Sequence, residues 1–285
     1  MDQDLILAIA LPVTLFFIMF GMGSNLTVAD FSRLKEIPSS VLTGVVSQMI
    51  LLPILAFILL SFFDLRPEIF IGFMILALSP GGTTSNMFSY MANGNLALSI
   101  SLTAIVSLIT PFTIPLVAGL IISSKLGLSA DIHLPFLITV AKLSAVTLVP
   151  VLLGMWLRHS RLEFCEKFER PLTKIPFAML LMVITGIINN NWEKMPDFIA
   201  QTSAPALMLA SLAIVLGYYF ARIMKQNKQN SRTIAIETSI QNGGTAILVT
   251  GTILQNPEMT IAPVMYGILM LLPMFIYLVI LKFKG

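Results

Sequence analysis

Charge is what this sequence has least of: Asp, Glu, Lys and Arg make up 11% of 285 residues, against roughly 25% in soluble domains. With 56% hydrophobic residues and a mean hydropathy of +0.91, that scarcity excludes an ordinary soluble domain and points to an all-α polytopic membrane protein. The formal charge of +3 is too small to suggest a nucleic-acid partner. A single cysteine, Cys165, excludes a disulfide framework and a cysteine-based metal site. Basic residues are missing from the start, Met1-Asp-Gln-Asp4, so the first apolar stretch reads as a membrane span and not as a cleavable signal peptide. Linkers and low-complexity segments are lacking too, which argues against a separate soluble domain.

What is present is a series of apolar runs near the ~20 residues that a helix needs to cross a bilayer. Nine are expected: 5–22, 39–60, 69–91, 95–122, 134–157, 172–190, 200–222, 232–254 and 260–281. Prolines inside them (Pro53, Pro80, Pro111, Pro115, Pro150, Pro273) predict kinks or interruptions. The seventeen Lys and Arg residues set the direction. With the N-terminus outside, thirteen lie on the inner side: Arg33, Lys35; Arg158, Arg161, Lys167, Arg170, Lys174; Arg222, Lys225, Lys228, Arg232; Lys282 and Lys284. Only Arg66, Lys125 and Lys194 lie outside, and Lys142 falls within span 5. The chain is therefore expected in the cell (inner) membrane with its N-terminus outside and C-terminus cytoplasmic.

Of fourteen Asp and Glu residues, Glu237 alone falls inside an apolar stretch. Burying an ionised carboxylate in hydrocarbon costs a few kcal/mol or more, so it requires a partner. Its surroundings are unusual. Span 8 reads Glu237-Thr238-Ser239-Ile240-Gln241-Asn242-Gly243-Gly244-Thr245, and span 3 reads Ser79-Pro80-Gly81-Gly82-Thr83-Thr84-Ser85-Asn86. Glycine loosens a helix and Pro80 removes a backbone donor, so both spans should unwind near the bilayer centre. Span 3 runs inward and span 8 outward, and two interrupted helices of opposite direction point to an inverted-repeat secondary transporter.

Neither run contains His or Cys, which argues against a transition metal; neutral oxygens suit hard cations. Span 3 offers Ser85 and Asn86. Ser99 and Thr103, and Glu237 and Gln241, are spaced i, i+4 and so share helix faces. Gln48 adds an amide in span 2. Sodium or a proton is the natural guest for Glu237. The half-helices that begin at the breaks expose N–H groups that attract anions, and Thr83 and Asn242 stand at those starts as candidate substrate contacts. Lys142 either snorkels to the interface or meets an anionic substrate.

Phe20-Gly21-Met22-Gly23 with Leu26, the Ser79–Asn86 run, Gly94-Asn95-Leu96-Ala97-Leu98-Ser99, and Glu237 with Gln241-Asn242-Gly243 resemble the bile acid:sodium symporter family over nearly the whole chain. The resemblance implies two crossed discontinuous helices (spans 3 and 8) within a core domain of spans 2–4 (39–122) and 7–9 (200–281), and a panel domain of span 1 (5–22) and spans 5 and 6 (134–190). It implies two co-transported Na+ ions: the first at Ser85, Asn86, Ser99, Thr103 and Glu237, the second at Gln48 and Gln241 with backbone oxygens near Glu237, Thr238 and Ile240. Nine spans match the animal members of the family. The last span, Pro263 to Leu281, is almost wholly apolar, which departs from relatives that place polar groups there and leaves the anion open among bile acid, pantoate and 2-oxo acids. The expected function is thus a sodium-coupled symporter of a small organic anion by alternating access. The expected partners are that anion and the lipid bilayer, with no obligate protein partner evident. Proton coupling through Glu237 and an ion channel are the rivals. An enzyme would want a second carboxylate, a His or an activated nucleophile beside Glu237.

Overall fold

A computed structural model describes residues 9–27, 37–126 and 136–284. The acidic start, Arg33, Lys35 and the first residues of spans 1 and 5 lie outside the described residues, as does the side chain of Arg170. The described residues are helical and carry no strand. In lipid every backbone N–H and C=O must be satisfied within the segment, and a helix does so without an edge.

In chain order the helices are α1 (Leu11–Gly23), α2 (Pro38–Leu60), α3 (Pro67–Ala77), α4 (Thr83–Met91), α5 (Leu96–Leu126), α6 (Phe136–Val146), α7 (Leu148–Ser160), α8 (Leu162–Asn190), α9 (Met195–Ile223), α10 (Lys228–Ser239), α11 (Gly243–Ile247), α12 (Ile261–Leu269) and α13 (Leu271–Lys284). Among the described residues five helical segments are long and apolar enough to cross a membrane: Pro38–Leu60, Leu96–Lys125, Phe136–Ser160, Trp192–Ile223 and Glu258–Phe283. Leu11–Gly23, Pro67–Ala77 and Lys174–Asn190 are apolar but shorter. The difference from the nine expected spans has local causes. Span 3 is split into α3 and α4, span 8 into α10 and α11, and the described part of span 1 is short.

Proline does not act uniformly. Helix α5 continues through Pro111 and Pro115, whereas Pro80 lies in the gap between α3 and α4. Span 5 breaks at Thr147, whose hydroxyl turns back to the Leu143 carbonyl at 2.7 Å. Helix α2 widens to a π-helical turn over Ser47–Leu51, directly before Pro53; such turns gather at functional sites. A second follows α11, over Leu248–Ile253.

Helix α1 packs against α7 and α8. The approach is close because Gly23 faces the Val151 backbone while Gly154 faces the backbone of Phe20 to Ser24, so a side chain at either position would strike main chain. Arg158 donates to the Ser24 carbonyl at 3.1 Å and so closes the end of α1. The main core joins α2, α3, α9, α10 and α12 through buried residues such as Leu60, Phe73, Phe198, Ile236 and Tyr266, and takes in Leu11 and Leu15 of α1 and Ile187 of α8. At one end of that body Glu258 receives Arg66 at 3.3 Å and Lys194 at 3.0 Å.

Candidate functional site

The site is built where two helices stop. Helix α3 ends at Ala77, and α4 starts after Gly82, whose backbone is extended. Ser85 stabilises that start: its Oγ accepts the Gly82 N–H at 3.2 Å and donates to the Gly82 carbonyl at 2.8 Å. Helix α10 ends at Ser239, Ile240 and Asn242 are extended, and the Asn242 side chain accepts the Thr245 N–H at 3.1 Å to start α11. The Ser239 carbonyl, orphaned by the break, accepts the Tyr266 hydroxyl at 2.8 Å, and Ser239 Oγ donates to the Ala210 carbonyl at 2.9 Å. The two breaks are joined through main chain, with the Asn242 N–H donating to the Pro80 carbonyl at 2.8 Å.

Glu237 lies at this crossing and is fully buried. Ser99 donates to its Oε1 at 2.5 Å and Thr103 to its Oε2 at 3.0 Å, so one face of α5 presents both hydroxyls, as their spacing of four predicts. Ser99 Oγ also lies 2.8 Å from Asn86 Oδ1. Gly81 completes the enclosure: a β-carbon there would sit 2.5 Å from Glu237 Oε2, 3.0 Å from Ser85 Oγ and 3.3 Å from Thr103 Oγ1. Those oxygens therefore converge on one point. The ion pairs found among the described residues involve Glu258 and not Glu237. Among the described residues this buried carboxylate meets neutral hydroxyls and no cationic side chain, which leaves it under-compensated.

The second group of expected ligands is more dispersed. Gln241 donates through Nε2 to the carbonyls of Glu237 at 3.2 Å and Thr238 at 2.9 Å, and its Oε1 is buried without a donor among the described residues. Gln48 is buried in the π-helical turn of α2 with neither amide atom paired among the described residues. No hydrogen bond among the described residues joins it to Gln241; α2 and α10 are linked instead by Ser47, whose hydroxyl shares a 2.8 Å bond with Thr238 Oγ1, and by Ser40, which accepts from Asn230 Nδ2 at 2.9 Å. Ile240 is buried and contributes backbone. Sequence reasoning missed Ser47 and took Gly81 only as a helix breaker; polarity next to Gln48 was the available signal for the first.

A cavity of about 330 Å³ borders the crossing. Met22, Asn25 and Leu26, at the end of α1 and just past it, form one wall; Thr83, Asn86, Met87 and Tyr90 of α4 and Leu96, Ile100, Thr103 and Ala104 of α5 form the rest. Asn86 and Thr103 thus belong to both cavity and cluster. Thr83 is exposed to it, whereas Asn242 is half-buried and spends its carbonyl on its own helix. Lys142 is exposed on α6 and is not among the cavity residues.

The sequence profile described as the Sodium Bile acid symporter family matches residues 12–197. The chain is 29% identical over 234 residues to an uncharacterized sodium-dependent transporter, YocS, of Bacillus subtilis (strain 168), covering 81% of this chain and 71% of that one. It is 29% identical over 245 residues to the ileal sodium/bile acid cotransporter of Homo sapiens, covering 84% and 68%. To the probable sodium/metabolite cotransporter BASS1, chloroplastic, of Arabidopsis thaliana it is 27% identical over 245 residues, which is 86% of this chain but 60% of that relative.

Proposed function

Because this chain belongs to the sodium bile acid symporter family, and so is a multi-pass, sodium-coupled transporter and not an enzyme, we propose that it carries a small organic anion with two Na+ ions by alternating access. The observation that carries the proposal is the buried Glu237 carboxylate, with hydroxyls and Gly81 around it and no cation side chain among the described residues, at the point where the two breaks touch.

The first ion is held by Glu237, Ser99 and Thr103, with Ser85 and Asn86 adjoining. A cation is bound through lone pairs, so Ser99 and Thr103 must turn their protons off the carboxylate as it arrives. Ser99 has an acceptor ready in Asn86 Oδ1. The second ion uses Gln48, Gln241 and the carbonyls near Glu237, Thr238 and Ile240; the Gln241 amide must swing away from the Glu237 and Thr238 carbonyls and present its unpaired oxygen. Both rearrangements tighten the crossing, and the tightened crossing offers Thr83 and the start of α4 to a carboxylate in the cavity.

The proposal extends to the architecture. Nine spans, in inverted repeats, divide into a panel of spans 1, 5 and 6 and a core of spans 2–4 and 7–9; the close glycine packing of α1 on α7 supports grouping spans 1 and 5. With the N-terminus outside the inner membrane, the cavity, bordered by Leu26, Tyr90 and Leu96, opens to the cytoplasm. Two sodium ions with one monoanion move one net positive charge inward, worth ~2.3 kcal/mol per 100 mV.

Thermal unfolding of the purified protein in NaCl and in KCl tests the core of this. Sodium should stabilise the wild type through preferential binding and fail to stabilise Glu237→Ala; equal melting in both salts sinks it. Proton coupling is the alternative favoured by the hydroxyl partners, since a protonated Glu237 would keep both of them. Uptake driven by an acid shift in sodium-free proteoliposomes would establish it instead.

A further inference from the structure

We infer that Thr233 is a positioning residue for the cation cluster: its hydroxyl, locked onto Asn95, fixes α10 against α5 in the register that brings Glu237 to Ser99 and Thr103. The inference rests on the function proposed above and adds a residue to its ion site. Buried hydroxyls elsewhere turn back to the carbonyl four residues earlier, as those of Thr43, Thr110, Thr202, Thr238 and Thr250 do, which satisfies them within their own helix. Thr233, fully buried, turns to another helix. Its Oγ1 accepts the Asn95 N–H at 2.8 Å and donates to the Asn95 carbonyl at 3.3 Å. Both bonds reach the residue from which α5 starts.

Asn95 precedes Ser99 by four residues and Thr233 precedes Glu237 by four, about one helical turn in each case. The Asn95 carbonyl also accepts the Ser99 N–H at 3.1 Å, and Ser99 Oγ donates to Glu237 Oε1. The four residues close a loop: two rungs between helices that run side by side in the same direction. The Thr233 rung holds main chain of α5, so it sets the axial position that the Glu237 rung inherits. A slip of α10 by one residue would carry Glu237 about 1.5 Å along the helix and about 100° around it, away from both hydroxyls. Gly94 permits the approach, since a β-carbon there would lie 2.6 Å from Thr233 Oγ1 and 3.0 Å from the Ser89 carbonyl oxygen.

The rung is braced from behind. Asn95 Nδ2 donates to Asn230 Oδ1 at 2.9 Å, Asn230 Nδ2 to Ser40 Oγ at 2.9 Å, and Ser40 Oγ to Gln226 Oε1 at 2.5 Å. Asn95 Oδ1 accepts the Leu98 N–H at 3.1 Å, so this amide is used at both ends. A paired polar network of this kind rigidifies what it joins. Here it joins α2, α5, α10 and the turn between α9 and α10. The carboxylate itself is bonded by Ser99 and Thr103; Thr233 and Asn95 act one turn away, through the residues they place.

The test is sodium titration of the melting temperature of the full-length protein, with KCl holding ionic strength constant. Thr233→Val keeps the shape and removes the hydroxyl, whereas Thr233→Ser keeps a hydroxyl. Thr233→Val should weaken apparent sodium affinity about fivefold or more, a size within the coupling of interacting residues. Thr233→Ser should stay within about twofold of the wild type. A residue that only stabilises the fold would lower the melting temperature at every sodium concentration and leave the affinity unchanged; that result overturns the inference. So does a Thr233→Ser protein as weak as Thr233→Val. Combined with Ser99→Ala, the loss from Thr233→Val should shrink, because the register then has one hydroxyl fewer to deliver; additive losses overturn the inference. Where Thr233→Val does not yield folded protein, Asn230→Ala removes the brace and leaves the rung. It should weaken sodium affinity in the same direction, and unchanged affinity there overturns the inference. Equal melting of the wild type in NaCl and KCl would break the sodium reading instead. The register then stands or falls by the same double-mutant cycle scored as melting temperature in KCl.

Discussion

At the scale of single residues, Glu237 is defined by what does not reach it. Glu237→Gln keeps the shape and removes the charge, so sodium-dependent stabilisation should fall by at least about tenfold in apparent affinity, since 1.4 kcal/mol is one decade. Sodium titration of the melting temperature measures this. Gly81→Ala places a methyl 2.5 Å from Glu237 Oε2. Overpacking of that kind costs about 1–3 kcal/mol, visible as a lower melting temperature in KCl, and it should also blunt the sodium response because the methyl occupies the convergence point. Part of this site was legible from sequence: the i, i+4 spacing of Ser99 with Thr103 is helix geometry written in the chain, whereas Gln241 lies past the end of α10 and shares no helix face with Glu237. Ser47 and Gly81 were not, because their parts depend on which helix faces which, and periodicity within one helix is silent on that.

At the scale of elements, the two breaks differ in how they are closed. The start of α4 relies on Ser85 and local backbone, whereas the end of α10 is tied to other helices through Tyr266 and Ala210. Tyr266→Phe should leave the Ser239 carbonyl unpaired at a cost of about 1–3 kcal/mol, read as a drop in melting temperature in both salts. A drop confined to NaCl would mean that Tyr266 acts through the ion site instead. The glycine-run breaks were legible because Gly, Pro and Asn punctuate helices regardless of surroundings. The unbroken course of α5 past Pro111 and Pro115 was not, since a proline ring is tolerated where neighbouring groups and small adjustments re-satisfy the freed carbonyls.

At the scale of the whole molecule, sidedness is the quantity to measure. Tyr90, 72% exposed at the cavity, is a reporter position. In a Tyr90→Cys protein, a membrane-impermeant maleimide should label from the cytoplasmic face and not from outside; the reverse would invert the topology. Cys165 should contribute little background. It is buried, and burial pushes its thiol above the ordinary value despite the nearby Arg158. With the pKa raised, the thiolate fraction is small at neutral pH and grows only under alkaline conditions, so residual labelling of the parent protein should climb with pH. The expected orientation rests on the thirteen-to-three bias of positive residues, whereas the close approach of Gly23 to Val151 is a contact between helices that no single stretch of sequence announces.

The bond from the Asn242 N–H to the Pro80 carbonyl involves no side chain at either end. Alanine scanning cannot remove it, and ordinary substitution at Pro80 or Asn242 leaves both atoms in place. This one bond between the two interrupted helices is therefore insulated from the changes that retune ion and substrate contacts around it. Only an exchange that deletes the donor itself, Asn242→Pro, cuts the link, and that single variant should uncouple the halves while every ligand-contacting side chain except Asn242 is retained.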